Sequence, residues 1–209
     1  MILRAKHNFV IYPFFKRYAL WIIRRSFSKV QILGSLNDKN KPVLLISNHI
    51  SWWDGFWAMY LNRYILKRRF HFMMLEEQLR KFWFFNYAGG FSVKKNTRSM
   101  VESLNYTAEL LNDSKNMVLM FPQGEIESMH QQNFVFEKGI ERVLEGKDNK
   151  VQIVFMANLV DYFSQPKPCI NIYIQEYSDQ PLNFEAIEKS YNQFFARSIE
   201  KQKSIKFDI

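Results

Sequence analysis

Pro42-Val43-Leu44-Leu45-Ile46-Ser47-Asn48-His49-Ile50-Ser51-Trp52-Trp53-Asp54 reads as a strand that turns sharply into a helix. The apolar run 42–46 has the length and composition of a buried strand. Ser51 reads as an N-cap, with Asp54 three residues on, the S-x-x-D pattern of a helix start. His49 therefore falls in the turn, and Asp54 one turn inside the helix. Residues five apart do not face each other on a regular helix, but a bent strand-to-helix turn brings them together. An imidazole held by a carboxylate is a general base; the carboxylate fixes its tautomer and stabilises the cation that forms. The competing reading leaves Asp54 as a cap alone and His49 bonded to a loop carbonyl.

Two further segments bear on that choice. Phe121-Pro122-Gln123-Gly124-Glu125 follows a second apolar run, Met117-Val118-Leu119-Met120. Proline and glycine straight after a strand force a tight turn and let the backbone approach a ligand closely. Gly89-Gly90-Phe91-Ser92-Val93-Lys94-Lys95-Asn96-Thr97-Arg98 puts two glycines before a β-prone run and then three cations. Lysine meets a phosphate oxygen as a point charge, and arginine meets it as a fork. Alone, this segment also reads as an ordinary solvated loop.

In this order the three segments resemble the glycerolipid acyltransferases, the family that contains the 1-acylglycerol-3-phosphate acyltransferases. That family carries an N-H-x4-D block, a glycine-led block with two basic residues, and F-P-E-G-T-R-S. Here Asn48, His49, Ser51 and Asp54 keep the first block. Lys95 and Arg98 stand where the second usually has arginines, and Phe121, Pro122 and Gly124 match the third, with Ser128 one position past its serine. Gln123, Glu125 and Ile126 replace its glutamate, threonine and arginine. A fourth block, usually opening V-P, is Val151-Gln152-Ile153-Val154. The resemblance spans roughly residues 40 to 160.

The resemblance implies a mechanism. His49, oriented by Asp54, takes the proton from an acceptor hydroxyl, and the oxygen attacks the thioester of acyl-CoA or acyl-carrier protein. Backbone N–H groups near Gly124 are candidates to hold the oxyanion. No resident cofactor is implied, since the donor is a substrate. Substrate contacts are expected from Asn48, Ser51, Lys95, Arg98, Phe121, Pro122, Gln123, Gly124 and Glu125. The acceptor is expected to be a lysolipid such as 1-acylglycerol-3-phosphate. The changed third block leaves open a phosphate-free lipophilic acceptor (an amino-acid lipid or a pigment) or an inactive lipid-binding homologue. No G-x-S-x-G elbow occurs, and the single cysteine, Cys169, reads as a packing residue. The four histidines fall in no metal-binding pattern, so no metal is expected.

The chain has 209 residues, 47% of them hydrophobic, enough for one domain with a full core. One cysteine excludes an internal disulfide framework. The net charge of +9 is unevenly spread. Residues 1–100 hold 18 Lys and Arg against 4 Asp and Glu; residues 101–209 hold 11 against 16. The basic half is also aromatic, opening with Phe9-Val10-Ile11-Tyr12-Pro13-Phe14-Phe15-Lys16-Arg17-Tyr18-Ala19-Leu20-Trp21-Ile22-Ile23-Arg24-Arg25. Its apolar runs are too short and too interrupted to span a bilayer, and no cleavage site follows. The pattern suits a helix lying in the interface of a membrane with anionic lipids. The expected location is the cytoplasmic face of the cell membrane, peripheral or monotopic. No RNP, zinc-finger or helix-turn-helix motif supports a nucleic-acid partner.

Along the chain, helices are expected over 7–29, 52–62, 76–85, 98–111, 137–144 and 183–203. Strands are expected over 42–47, 70–74, 91–93, 117–121, 151–159 and 170–174, the last half-exposed because it alternates. The fold class is α/β: residues 31–209 form a single acyltransferase domain with a mixed, largely parallel sheet flanked by helices. Residues 1–30 form an N-terminal amphipathic, membrane-associating helical segment. The aromatic stripe of the last helix reads as core.

Overall fold

The computed structural model describes residues 2–94, 98–178 and 182–206. Helix α1 (Ile11–Ser26) leads into strand β1 (Lys29–Leu33), then β2 (Val43–Ser47), α2 (Asp54–Leu61) and a π-helical turn, Asn62–Leu66. Next come β3 (Arg69–Leu75), α3 (Glu76–Lys81), α4 (Phe84–Tyr87), β4 (Gly90–Val93), α5 (Arg98–Leu110) and β5 (Asn116–Met120). The chain closes through α6 (Gly139–Leu144), β6 (Gln152–Asp161), β7 (Cys169–Glu176) and α7 (Phe184–Lys203).

One seven-stranded sheet runs in the order β1-β7-β6-β2-β5-β3-β4. Every pairing is parallel except β6 with β7. β2 is central and buried at all its positions, as a parallel strand covered on both faces must be. Its alternate residues serve two cores. Val43 and Leu45 pack with α1, α2 and Leu79 of α3; Leu44 and Ile46 pack with α5, α6 and α7. The α7 stripe, Ile187, Tyr191, Phe194 and Phe195, is buried in that second core.

The helix expected over 7–29 is α1, Ile11–Ser26; strand β1 follows from Lys29, unforeseen in the sequence, and pairs in parallel with β7. That neighbour covers one edge of β7, and α7 covers its polar side. Asn171 and Tyr173 donate hydrogen bonds to Gln202 Oε1, at 3.0 and 2.9 Å, so the alternation seen in the sequence is a buried, satisfied face. β7 is thus buried rather than half-exposed. The single helix expected over 76–85 is two, because Phe82 leaves helical dihedrals at φ −110° and ψ 58°. Cys169 is buried and free.

Residues 2–27 pack directly on the domain. Leu3 N–H reaches Ser92 Oγ at 2.8 Å, His7 bridges to Ala88, and α1 sends Phe15, Ala19 and Ile23 into the core. Because β2, β3, β4, β5 and β6 run the same way, their C-terminal ends form one rim of the sheet. The loops that leave that rim build the site.

Candidate active site

β2 ends at Ser47, where its pairing with β6 stops at Met156. Asn48 bridges the widening gap: its Nδ2 donates to Asn158 O at 3.2 Å, and its Oδ1 accepts from Asn158 N at 2.9 Å. Asn48, expected against the substrate, is only 1% exposed and spends its amide on β6. It fixes the point from which the next residue projects.

That residue is His49. The turn after it is tight enough to bring Asp54 back, and one carboxylate oxygen gathers three donors. Asp54 Oδ2 accepts from His49 Nδ1 at 2.7 Å, Ile50 N at 2.8 Å and Ser51 N at 3.0 Å. The bond to Ser51 is half of the expected capping box. The other half is absent: Ser51 Oγ accepts from Trp53 N at 3.1 Å, and α2 begins only at Asp54. Capping the helix and holding the imidazole were alternative readings of Asp54; the same oxygen makes both sets of contacts.

Asp54 is 1% exposed, and its Oδ1 has no hydrogen-bond partner. Burial pushes its carboxyl up from the ordinary range, while the bonds from His49, Ser51 and Ile50 pull against that shift. A carboxylate so placed holds the Nδ1–H tautomer and leaves Nε2 with its lone pair to accept a proton. The His49 side chain keeps 24% of its surface open.

The loop after β5 grips the base from the other side. The Phe121 ring stacks on the imidazole, centroids 4.0 Å apart and planes within 10°. Gln123 Oε1 accepts from His49 N at 2.8 Å, and Glu127 N donates to His49 O at 2.8 Å. Gln123 Nε2 in turn donates to the Glu127 carboxylate. A glutamate at 123 would set like charges against each other there; the amide converts the contact into a hydrogen bond. Pro122 O accepts from Glu137 N at 2.7 Å. Gly124 sits at φ +77° and gives its own N–H to Phe121 O at 3.1 Å, so that group is already committed. Gly124, Glu125 and Ile126 are exposed between these anchors.

The structure therefore brings together His49, Ser51, Asp54, Phe121, Pro122, Gln123 and Gly124, with Glu125 beside them. Arg98 is the first residue of α5, the helix that follows β4 on the same rim. Lys95 lies outside the described residues. Lys94 Nζ is 3.4 Å from Glu76 Oε1, which also accepts from Arg80 at 2.9 Å.

A family model described as Acyltransferase matches residues 28–162. The chain belongs to the acyltransferase family. It is an enzyme that transfers acyl groups, and no curated protein sequence matches it. In fold this acyltransferase is similar to the crystal structure of the 1-acyl-sn-glycerophosphate (LPA) acyltransferase PlsC from Thermotoga maritima. The TM-score is 0.66 at 19% identity, covering 92% of this chain and 80% of that one.

Sequence reasoning missed Asn158, Glu127 and Tyr191 in the acyltransferase. Asn158 left a trace, a polar residue inside the apolar run of β6. Glu127 lay within the third block. Tyr191, whose hydroxyl donates to Met156 O at 3.0 Å beneath the site, carried no sequence signal apart from its place in the α7 stripe. Among the described residues, no group of three or more His, Cys, Asp or Glu is placed to hold a metal.

Proposed function

We propose that this enzyme moves a fatty acyl group from acyl-CoA or acyl-carrier protein to the hydroxyl of a lysolipid such as 1-acylglycerol-3-phosphate. It works at a membrane surface. The carrying observation is the His49–Asp54 pair, aimed by Phe121, Gln123 and Glu127. His49 Nε2 removes the acceptor proton as the hydroxyl oxygen bonds to the thioester carbonyl. The imidazolium is stabilised by Asp54 and returns the proton to the departing thiolate.

Exposed apolar side chains support the membrane reading. Trp52 follows β2, Leu75 ends β3 and Trp83 follows it, Ile126 and Met129 follow β5, and Tyr162 follows β6. Phe9, Phe14 and Trp21 add to them from the start of the chain and α1. Among the described residues no helix is long and apolar enough to cross a membrane, so this surface suits interfacial rather than spanning attachment.

A second reading, a phosphate-free acceptor, is favoured by the loop nearest the base. It carries Glu125 and Glu127, and Ile126 in place of a cation. The test is acyl transfer from labelled acyl-CoA and acyl-carrier protein to a panel of lysolipids. Lys95→Gln with Arg98→Gln is expected to raise the KM for lysophosphatidate and leave the donor KM unchanged. Charge-assisted contacts are worth roughly 1.5–3 kcal/mol each. A normal acceptor KM, with neutral lysolipids used as well as lysophosphatidate, selects the second reading.

A further inference from the structure

At the opposite rim of the sheet the lead-ins to β2, β3 and β5 enclose a cleft of ≈ 380 Å³ lined by Asn40, Lys67, Arg68, Arg69, Ser114 and Lys115. That volume lies within the range of small-ligand sites. Four of its six lining residues are cations, and none is apolar. The cleft is also rigidly built. Asn62, in the π-helical turn, ties down the Lys67–Arg68 corner: its O accepts from Lys67 N at 2.7 Å, its Oδ1 from Arg68 N at 2.9 Å, and its Nδ2 donates to Arg68 O at 2.9 Å. Arg69 N donates to Lys115 O at 2.6 Å, joining the other two walls.

Two of the lining residues, Asn40 and Lys67, hold left-handed backbone at φ 54° and 55°. Two carboxylates border the cleft and offset part of its charge. Asp38 accepts from Arg68 and from Asn40 N, and Asp113 Oδ1 accepts from Lys115 N at 2.9 Å. Lys39 is paired with Glu176 at 2.8 Å. Arg68 gives Nη1 to Leu66 O at 3.2 Å and leaves its buried Nε with no partner.

Exposed Lys67, Arg69 and Lys115 thus face one another across fixed backbone, and their mutual repulsion is relieved by an anion. We propose that this cleft binds a phosphate-bearing anion of the di- or oligophosphate class, at a site separate from acyl transfer. β3 alone spans ~20 Å between the two rims, so the ligand does not reach His49. The lining side chains are all polar or charged and none is a hydrophobic residue, which favours a soluble phosphate over a lipid headgroup.

Titration calorimetry of the full chain with inorganic pyrophosphate, at fixed ionic strength, tests the proposal. Saturable binding is expected, and Lys67→Gln, Arg69→Gln and Lys115→Gln together should weaken it about a hundredfold or more. Acyl transfer without pyrophosphate should stay at the wild-type rate. Lys115→Gln alone changes one exposed side chain and repeats the test without risk to β3, with an expected loss of about tenfold. Equal affinity in wild type and variants, or no saturable binding to wild type, overturns the site. Flotation with phosphatidylglycerol vesicles separates the two phosphate sources. Unchanged vesicle binding in the triple variant supports a soluble ligand. Loss of vesicle binding, with no response to pyrophosphate, overturns it in favour of a lipid headgroup.

Discussion

The two rims of the sheet are built from the same strands and have opposite chemistry. At the C-terminal ends of β2, β3, β5 and β6 stand His49, Asp54 and a set of exposed apolar side chains. At the N-terminal ends of β2, β3 and β5 stand Lys67, Arg68, Arg69 and Lys115, with only polar neighbours lining their cleft. The strand interiors between are largely apolar and buried and set the separation; end residues such as Arg69 and Leu75 of β3 reach the two surfaces. The lesson is that a parallel sheet lets its two ends carry different chemistries, here exposed apolar side chains at one and cations at the other, because loops at opposite ends share no residues.

The largest expected contrast comes from His49→Ala. Loss of a positioned general base lowers kcat on the order of 10²–10⁴-fold, whereas Lys115→Gln at the other rim leaves kcat unchanged. Circular dichroism of both should match wild type. Retention of a tenth of the activity by the purified His49 variant would remove the base assignment.

Asp54→Asn is next. It keeps an oxygen for the Ile50 and Ser51 N–H groups but cannot stabilise an imidazolium, so kcat should fall by about 10²-fold or more. Melting temperature and kcat are to be measured together. A lowered melting temperature with normal turnover would make Asp54 a structural cap and nothing else.

A smaller effect concerns stability near the basic rim. His71 on β3 is buried beside His7, their ring centroids 4.7 Å apart, and Nε2 faces Asn116 Oδ1 at 3.2 Å. Burial first, and then the neighbouring His7, lower its pKa from 6.5 to about 3. The fold therefore holds His71 neutral, while the unfolded chain protonates it below 6.5. Its contribution is complete above pH 6.5 and is lost as pH falls toward 3, at up to ~1.4 kcal/mol per pH unit. Urea unfolding at a series of pH values should show that slope flattened in His71→Asn. An unchanged slope would mean that other groups set the acid sensitivity.

The smallest effect is expected at the apolar rim. Trp52→Ser combined with Phe14→Ser should reduce co-sedimentation with anionic vesicles several-fold without changing kcat on a dispersed acceptor. Raised salt should weaken but not abolish wild-type binding, because apolar insertion is not screened. Equal sedimentation of variant and wild type would detach the membrane reading from this face.

Much of this was legible from the sequence because parallel strands announce themselves as unbroken apolar runs; β2, β5 and β6 are all of that kind. The contact between His49 and Asp54 was legible for a different reason: a strand end and a cap pattern fixed the bend between them. β1 was not legible. Its five residues, KVQIL, carry too short a pattern to separate from the helix before it. β7 misled because Asn171 and Tyr173 look solvent-facing, and only Gln202, some thirty residues on, makes their burial tolerable.

Gln123 and Glu127 clasp the backbone of His49 at its N–H and C=O, while residues 124–126 bulge outward between them. The loop thus divides into a fixed frame and a replaceable insert. If the insert meets the acceptor, as the proposed function has it, substitutions confined to it change the headgroup accepted while the imidazole keeps its aim. Altering the frame would spoil every acceptor alike. A library randomised at 125 and 126 alone is the place to begin redesigning what this enzyme acylates.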